Sequence, residues 1–286
     1  PTRTIERHMT MAPIIQTIID LFTDPVSITV FIIYGALMLW EALAPARQLP
    51  PIKGWWLKGI VAFLVYFVMS SLLPFLWADL LEGRQLIDLS GLGIAAGSVV
   101  GLLSYELGVY WWHRTMHASD LLWRTFHQMH HSAERLDTFS AFRFSPLDII
   151  GWTVLFSLSC SFIAGLDPQA VVYVVYITTF LAVFQHSNIR TPQWLGYIVQ
   201  RPENHSIHHA RGVHTGNFAD LPLFDMLFGT FRNPRDFAPE TGLGLGASER
   251  LGDMLLFRDV ERHRASDRPV ELNIGPVADD LVRERA

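Results

Sequence analysis

Residues 89–131 read LSGLGIAAGSVVGLLSYELGVYWWHRTMHASDLLWRTFHQMHH, an apolar run that ends in histidines, and the fold of the whole chain turns on this stretch. A helix needs about 20 mostly apolar residues to cross roughly 30 Å of hydrocarbon, and residues 89–112 supply them. Directly after the run come His113-x-x-x-His117 and His127-x-x-His130-His131, and a third cluster, His205-x-x-His208-His209, follows much later. Residues three and four apart share one face of an α-helix, so the imidazoles of each cluster are expected to point at one place about a turn long. Neutral imidazole is the commonest side-chain metal ligand near neutral pH. The histidines of the three clusters exceed what one four- to six-coordinate ion uses, so two metal ions are expected.

Working outward, residues 26–44 and 60–78 are also long enough to span. Residues 147–165 and 169–187 form a fourth and fifth apolar run, separated by the turn Gly165-Leu166-Asp167-Pro168, which reads as a helical hairpin. Residues 11–22 are apolar on one face but too short to cross, so an interfacial amphipathic helix is expected there. The composition agrees: half the residues are hydrophobic and 17% are charged, against roughly 25% in an average soluble protein, and the mean hydropathy is +0.26. Trp40, Trp55, Trp56, Trp77, Trp111 and Trp112 fall at or near the ends of these runs, where amphipathic rings meet headgroups.

Orientation follows from Lys and Arg, which favour the cytoplasmic connections. Arg47, Lys53 and Lys58 lie in residues 45–58, and Arg114, Arg124, Arg135 and Arg143 in residues 113–146, while the opposite connections hold Arg84 or nothing. The histidines are therefore expected in the cytoplasm. The hairpin crosses out and back, so the third cluster returns to the face of the first two, where His186 closes the last span as a ninth candidate ligand. The expected fold is an all-α integral membrane bundle of four to five spans with a cytoplasmic histidine-rich helical cap. Residues 1–234 form the membrane-embedded domain and 235–286 a polar cytoplasmic tail.

Other classes are set aside on composition. A net charge of −5 without a basic stretch argues against nucleic acid as a partner. A single cysteine, Cys160, permits neither a disulfide nor a thiolate zinc site nor an iron–sulfur cluster, so any metal sits on nitrogen or oxygen. No short apolar segment with a small-residue cleavage site opens the chain, so no removable signal peptide is expected. Solitary His8 and His263 are read as surface residues, and His214 as a neighbour of the ligands or a solvated side chain. Redox-silent zinc normally takes three or four protein ligands, whereas imidazole also suits iron, and a pair of irons can use O2 and external electrons to attack an unactivated C–H bond. The alternatives are a membrane zinc hydrolase, for which the His-Glu-x-x-His signature is lacking, and a metal transporter, which would place its ionisable groups nearer mid-membrane.

The three clusters, with nine residues between the first two, resemble the fatty acid hydroxylase and sterol desaturase superfamily over roughly residues 95–235. Phe184-Gln185-His186-Ser187-Asn188 is similar to that family's H-x-N step. Asn217-Phe218-Ala219 is similar to its Asn-Tyr-Gly, and residues 223–231, LFDMLFGTF, to its closing W-D-x-L-F-G-T-F. Arg143-Phe144-Ser145-Pro146-Leu147-Asp148 departs from R-x-H-P-L-E by lacking the histidine. The resemblance implies a di-iron centre on His113, His117, His127, His130, His131, His186, His205, His208 and His209. It further implies O2 as co-substrate, a lipid such as a sterol or fatty acyl chain, and hydroxylation or desaturation of a C–H bond. With no haem or nicotinamide motif in the chain, electrons are expected from a separate ferredoxin, rubredoxin or cytochrome. Asn188, Asn204 and Asn217 are expected either to orient imidazoles or to cap helices, and Asp225 to dock the C-terminal segment.

Overall fold

The computed structural model describes residues 11–261; His8, His263 and residues 262–286 of the expected tail lie outside them. Among the described residues the fold is all-helical, with one isolated bridge, Ala210 to Thr241, and no strand. The segment expected to lie at the interface folds as a helix, α1 (Met11–Thr23). The long apolar runs become α2 (Pro25–Leu43), α3 (Trp55–Leu72), α4 (Gly93–Ala118), α5 (Pro146–Ser157, continued by a π-turn Leu158–Ile163) and α6 (Pro168–His186). All five, with their short extensions, are long and apolar enough to cross a membrane, and at most a third of each is buried inside the protein. Their outer faces carry Ile32, Leu39, Val61, Val99 and Leu107 in the open, which only a hydrocarbon solvent tolerates over so many helices.

The helix starts are written locally. Asp24, Ser145 and Asp167 each accept a backbone N–H at the first turn of α2, α5 and α6, with proline at the first helical position, where its missing N–H costs nothing. Gly97 and Gly101, one turn apart on α4, let it approach α6 and the hairpin turn. A Cβ at Gly101 would stand 2.5 Å from Leu166 and 3.0 Å from Val174, so small residues set this spacing.

Beyond the spans, the cap is built from loops pinned to the end of α2. Glu41 Oε2 accepts N–H groups from Thr138 and Asn188, both at 2.9 Å, and so ties the loop before α5 to the loop after α6. Trp55 Nε1 donates to Asp137 at 2.9 Å, and Tyr34 OH donates to the Thr138 carbonyl at 3.1 Å. The polar stretch after residue 234 is, through residue 261, a strap folded over the histidines. Gly242 N donates to the His209 carbonyl, Arg143 to the Ser248 carbonyl, and Leu243, Ala247, Met254 and Val260 pack with Trp123 and Met129.

Gly59 is where α3 meets this cap, since a Cβ there would lie 2.5 Å from Phe139 Cβ and 2.6 Å from its carbonyl oxygen. Gly59→Ala is therefore expected to force α3 and residues 137–140 apart at a cost of about 1–3 kcal/mol. The check is a lowered midpoint in thermal unfolding of detergent-purified protein; an unchanged midpoint would mean the contact is not tight.

Candidate metal centre

All nine predicted histidines converge. His113 and His117 ride the last turns of α4, one helical turn apart. His127, His130 and His131 come from residues 120–131, where a π-turn, Trp123–His127, leads into a short helix, Gln128–His131. His186 ends α6, and His205, His208 and His209 lie on or just after α7 (Pro202–His208).

The clusters do not each serve one place. The structure sorts them into His113, His117, His127, His131 and His208 in one group, and His130, His186, His205 and His209 in the other. Within each group the candidate ligand nitrogens lie within 4.8 Å of one another. The reason is helical geometry: pairs four apart (113/117, 127/131, 205/209) stay on one face, while the sequence-adjacent neighbours His130 and His208 point elsewhere and cross to the opposite group. The groups abut, with the rings of His131 and His209 stacked 4.1 Å apart.

Hydrogen bonds fix which nitrogen carries the proton. His113 Nδ1 lies 2.6 Å from the Phe218 carbonyl, His186 Nδ1 2.6 Å from Ala182 O and His208 Nδ1 2.7 Å from Gly216 O. His127 Nδ1 faces Asp148 Oδ2 at 3.1 Å. Carbonyls only accept, so Nδ1 of His113, His186 and His208 donates and their Nε2 atoms present lone pairs inward. Nε2 of His113 and His127 meet at 2.8 Å, and those of His186 and His130 at 3.0 Å. Where both nitrogens of such a pair are unprotonated, their lone pairs repel unless a cation sits between them. Ligands at right angles, about 2.1 Å from a metal, would be about 3.0 Å apart, which is the spacing seen. Burial and the neighbouring imidazoles push His127, His130, His131, His205 and His209 well below the ordinary histidine range, so these rings are neutral near pH 7 and fit to bind metal. The donor set suits two metal ions.

The supporting residues were less visible beforehand. Asp148, three residues after the Ser145 that stands where the family pattern has histidine, faces His127 Nδ1, and its own N–H is capped by Ser145. The Ser145-Pro146-x-Asp148 start of α5 was the available signal. His214 stands outside both groups, with Nδ1 3.1 Å from His131 Nδ1 and φ of +41°. Asn188, Asn204 and Asn217 neither touch an imidazole with their side chains nor cap a helix. Asn188 donates to Arg47 O, Asn204 to Gln200, and Asn217 to the carbonyls of Asn204 and Arg232, so they brace loops. Asp225 docks as expected: it accepts from Phe218 N, Ala219 N and Thr230 Oγ1, and thereby aims the Phe218 carbonyl at His113. Trp123, not singled out from the sequence, packs 4.9 Å from both His117 and His131.

Comparison with known proteins agrees with this geometry. The family model for fatty acid hydroxylase matches residues 98–230. The chain is 33% identical to the ornithine lipid hydroxylase OlsE of Rhizobium tropici over 141 residues, covering 48% of this chain and 42% of that protein. It is 33% identical to the alkylglycerol monooxygenase of Homo sapiens over 136 residues, 45% and 29% of the two chains. With the very-long-chain aldehyde decarbonylase GL1-1 of Oryza sativa subsp. indica it shares 28% over 181 residues, 59% and 28%. The match thus spans less than half the length of these relatives. No solved structure matches the chain. Residues 98–230, which hold all nine converging histidines, are the part of this chain that matches the fatty acid hydroxylase family.

Proposed function

We propose that this protein is a membrane-bound di-iron oxygenase that uses O2 and externally supplied electrons to hydroxylate a C–H bond of a lipid. The observation that carries the reading is the pair of adjoining histidine groups at the inner end of a cavity that opens among the membrane-spanning helices. His113, His127, His130, His186 and His205 line its floor, while Val109, Ala141, Phe142, Phe144, Trp152 and Ala182 line its walls. Five nitrogen donors in one group exceed the four of a tetrahedral zinc site, and imidazole suits iron. Iron held there would supply the O2 activation and hydrogen abstraction that an unactivated C–H bond requires, with two electrons from a separate carrier protein of ferredoxin, rubredoxin or cytochrome type.

The chain's own residues do the rest. Apolar walls hold hydrocarbon and keep water away from the floor, and Phe144 stacks on the His130 ring at 4.7 Å to fix its plane. The Phe218, Gly216 and Ala182 carbonyls hold the Nδ1 protons of His113, His208 and His186 outward, so that Nε2 of these rings faces the proposed metals, and Asp148 faces His127 Nδ1. Hydroxylation is favoured over desaturation because the relatives named above include a lipid hydroxylase and a monooxygenase. A cytoplasmic location for the centre is supported by the Lys and Arg pattern of the connections.

Protein purified in detergent is expected to hold about two iron atoms per chain, because its imidazoles exceed one ion's capacity. Alanine at any of the nine histidines should lose metal and product formation, and Asp148→Asn should lose about 10–100-fold in affinity or activity. Elemental analysis beside a product assay decides; one zinc per chain would favour a hydrolase. Lipid mass spectrometry of cells with and without the gene reads the reaction. A lipid that gains one oxygen atom supports hydroxylation, and one that only loses two hydrogens refutes it. For orientation, a cysteine placed at Ser119 should resist a membrane-impermeant thiol reagent in intact cells, Cys160 being buried and silent; labelling without lysis would reverse the topology.

A further inference from the structure

The cavity above the histidines does not end in the bundle. A second cavity, of about 270 Å³, continues it toward the opposite side of the membrane-spanning helices. The two share six lining residues, Tyr66, Tyr105, Phe142, Trp152, Thr178 and Thr179, which form a neck between them. The neck draws on four helices, with Tyr66 on α3, Tyr105 on α4, Trp152 on α5 and the threonines on α6, so it is ringed by protein. Past it, the second cavity runs along α3 from Phe63 to Ser71, a rise of about 12 Å, and ends among Val26, Pro74, Ser157 and Val175. Val30, Phe63, Phe67, Phe156 and Val175 make its walls largely apolar.

We infer that the two cavities together are a slot for one straight alkyl chain of the lipid substrate, and that the far wall around Ser71 and Ser157 sets the chain length accepted. This rests on the proposed lipid reaction, because continuity with the histidine floor is what makes the slot a substrate site. Apolar walls inside membrane-spanning helices select hydrocarbon over any polar ligand. The neck bears on its shape: a molecule occupying both cavities must pass between the Tyr66, Tyr105 and Trp152 rings, which suits a flexible chain better than a rigid fused-ring lipid. The slot's far end lies away from the strap-covered cap, so a chain seated there extends toward the other face of the bilayer. Specificity is then geometric: a chain longer than the slot cannot bring its reacting carbon to the histidines without pressing on the far wall.

The test uses the full chain in detergent, with a long straight-chain alcohol carrying a terminal diazirine as the probe. Irradiation should label peptides of α3 and α5 that line the slot. Ser157→Phe and Ser71→Phe plug the far end from two different helices, so a folding failure of one leaves the other to read. Each should reduce that labelling at least tenfold and move the hydroxylated products of expressing cells to shorter chains. Ser161→Phe, on the exposed side of the π-turn that follows Ser157, should change neither. Unchanged labelling and unchanged product chain length in both plug variants would overturn the inference. Labelling displaced by a sterol but not by unlabelled straight-chain alcohol would also overturn it. If the wild type hydroxylates no lipid while the plugs still abolish labelling, the proposed reaction fails and the alkyl slot stands.

Discussion

The structure is organised around a crowding of imidazoles. Nine of them gather with ring nitrogens facing one another at separations as short as 2.8 Å, and burial holds His127, His130, His131, His205 and His209 neutral. Wherever two unprotonated nitrogens meet, there is repulsion that only a cation relieves, because each lone pair has given up water for another lone pair. Under the proposed function, metal binding and folding would be parts of one equilibrium. The surrounding carbonyls, the Asp148 carboxyl and the stacked aromatic rings make geometric sense as devices that hold ligands in place against that repulsion.

Much of this was legible in the sequence because its signals are local. Apolar runs of spanning length announced five helices, and proline after Asp24, Ser145 and Asp167 marked three of their starts. Histidine spacing named eight of the nine converging residues, and the ninth, His186, followed from the hairpin that returns it to the same side. What the spacing did not disclose was the division of labour. A cluster read as one comb is split, since neighbouring residues on a helix diverge and the partners that receive them come from distant segments. The supporting shell was harder still. A backbone carbonyl such as Phe218 O has no sequence signature, and its aim is set by Asp225 through two N–H groups and Thr230, a relation that exists only once the loop has closed. The asparagines, chosen for their polarity, brace loops because the loops need internal hydrogen bonds more than the imidazoles need amides.

Membrane and cap are joined through few but well-placed contacts. Glu41, at the end of α2, holds the two loops that carry the chain from the second cluster into α5 and from α6 toward the third. Gly59 lets α3 close on the same region, and the strap after residue 234 presses from the other side through Gly242 and Ser248. The result is a polar centre whose floor is rigid and whose only apolar approach, among the cavities described, comes from the bilayer side. A lipid can reach such a centre by lateral movement, without its hydrocarbon passing through water.

The crossing of His130 and His208 between groups has a thermodynamic consequence. His130 is bonded in sequence to His131, and His208 to His209, yet the members of each pair fall in different histidine groups. Two ions held as proposed would thus be linked by a pair of single peptide units, about 3.8 Å between α-carbons. Filling one position orders the backbone that the other requires, so the second ion meets a site whose ordering has already been supplied by the first. Loading should be cooperative, and a half-filled protein should be scarce at equilibrium, with the chain passing between an empty and a fully loaded state.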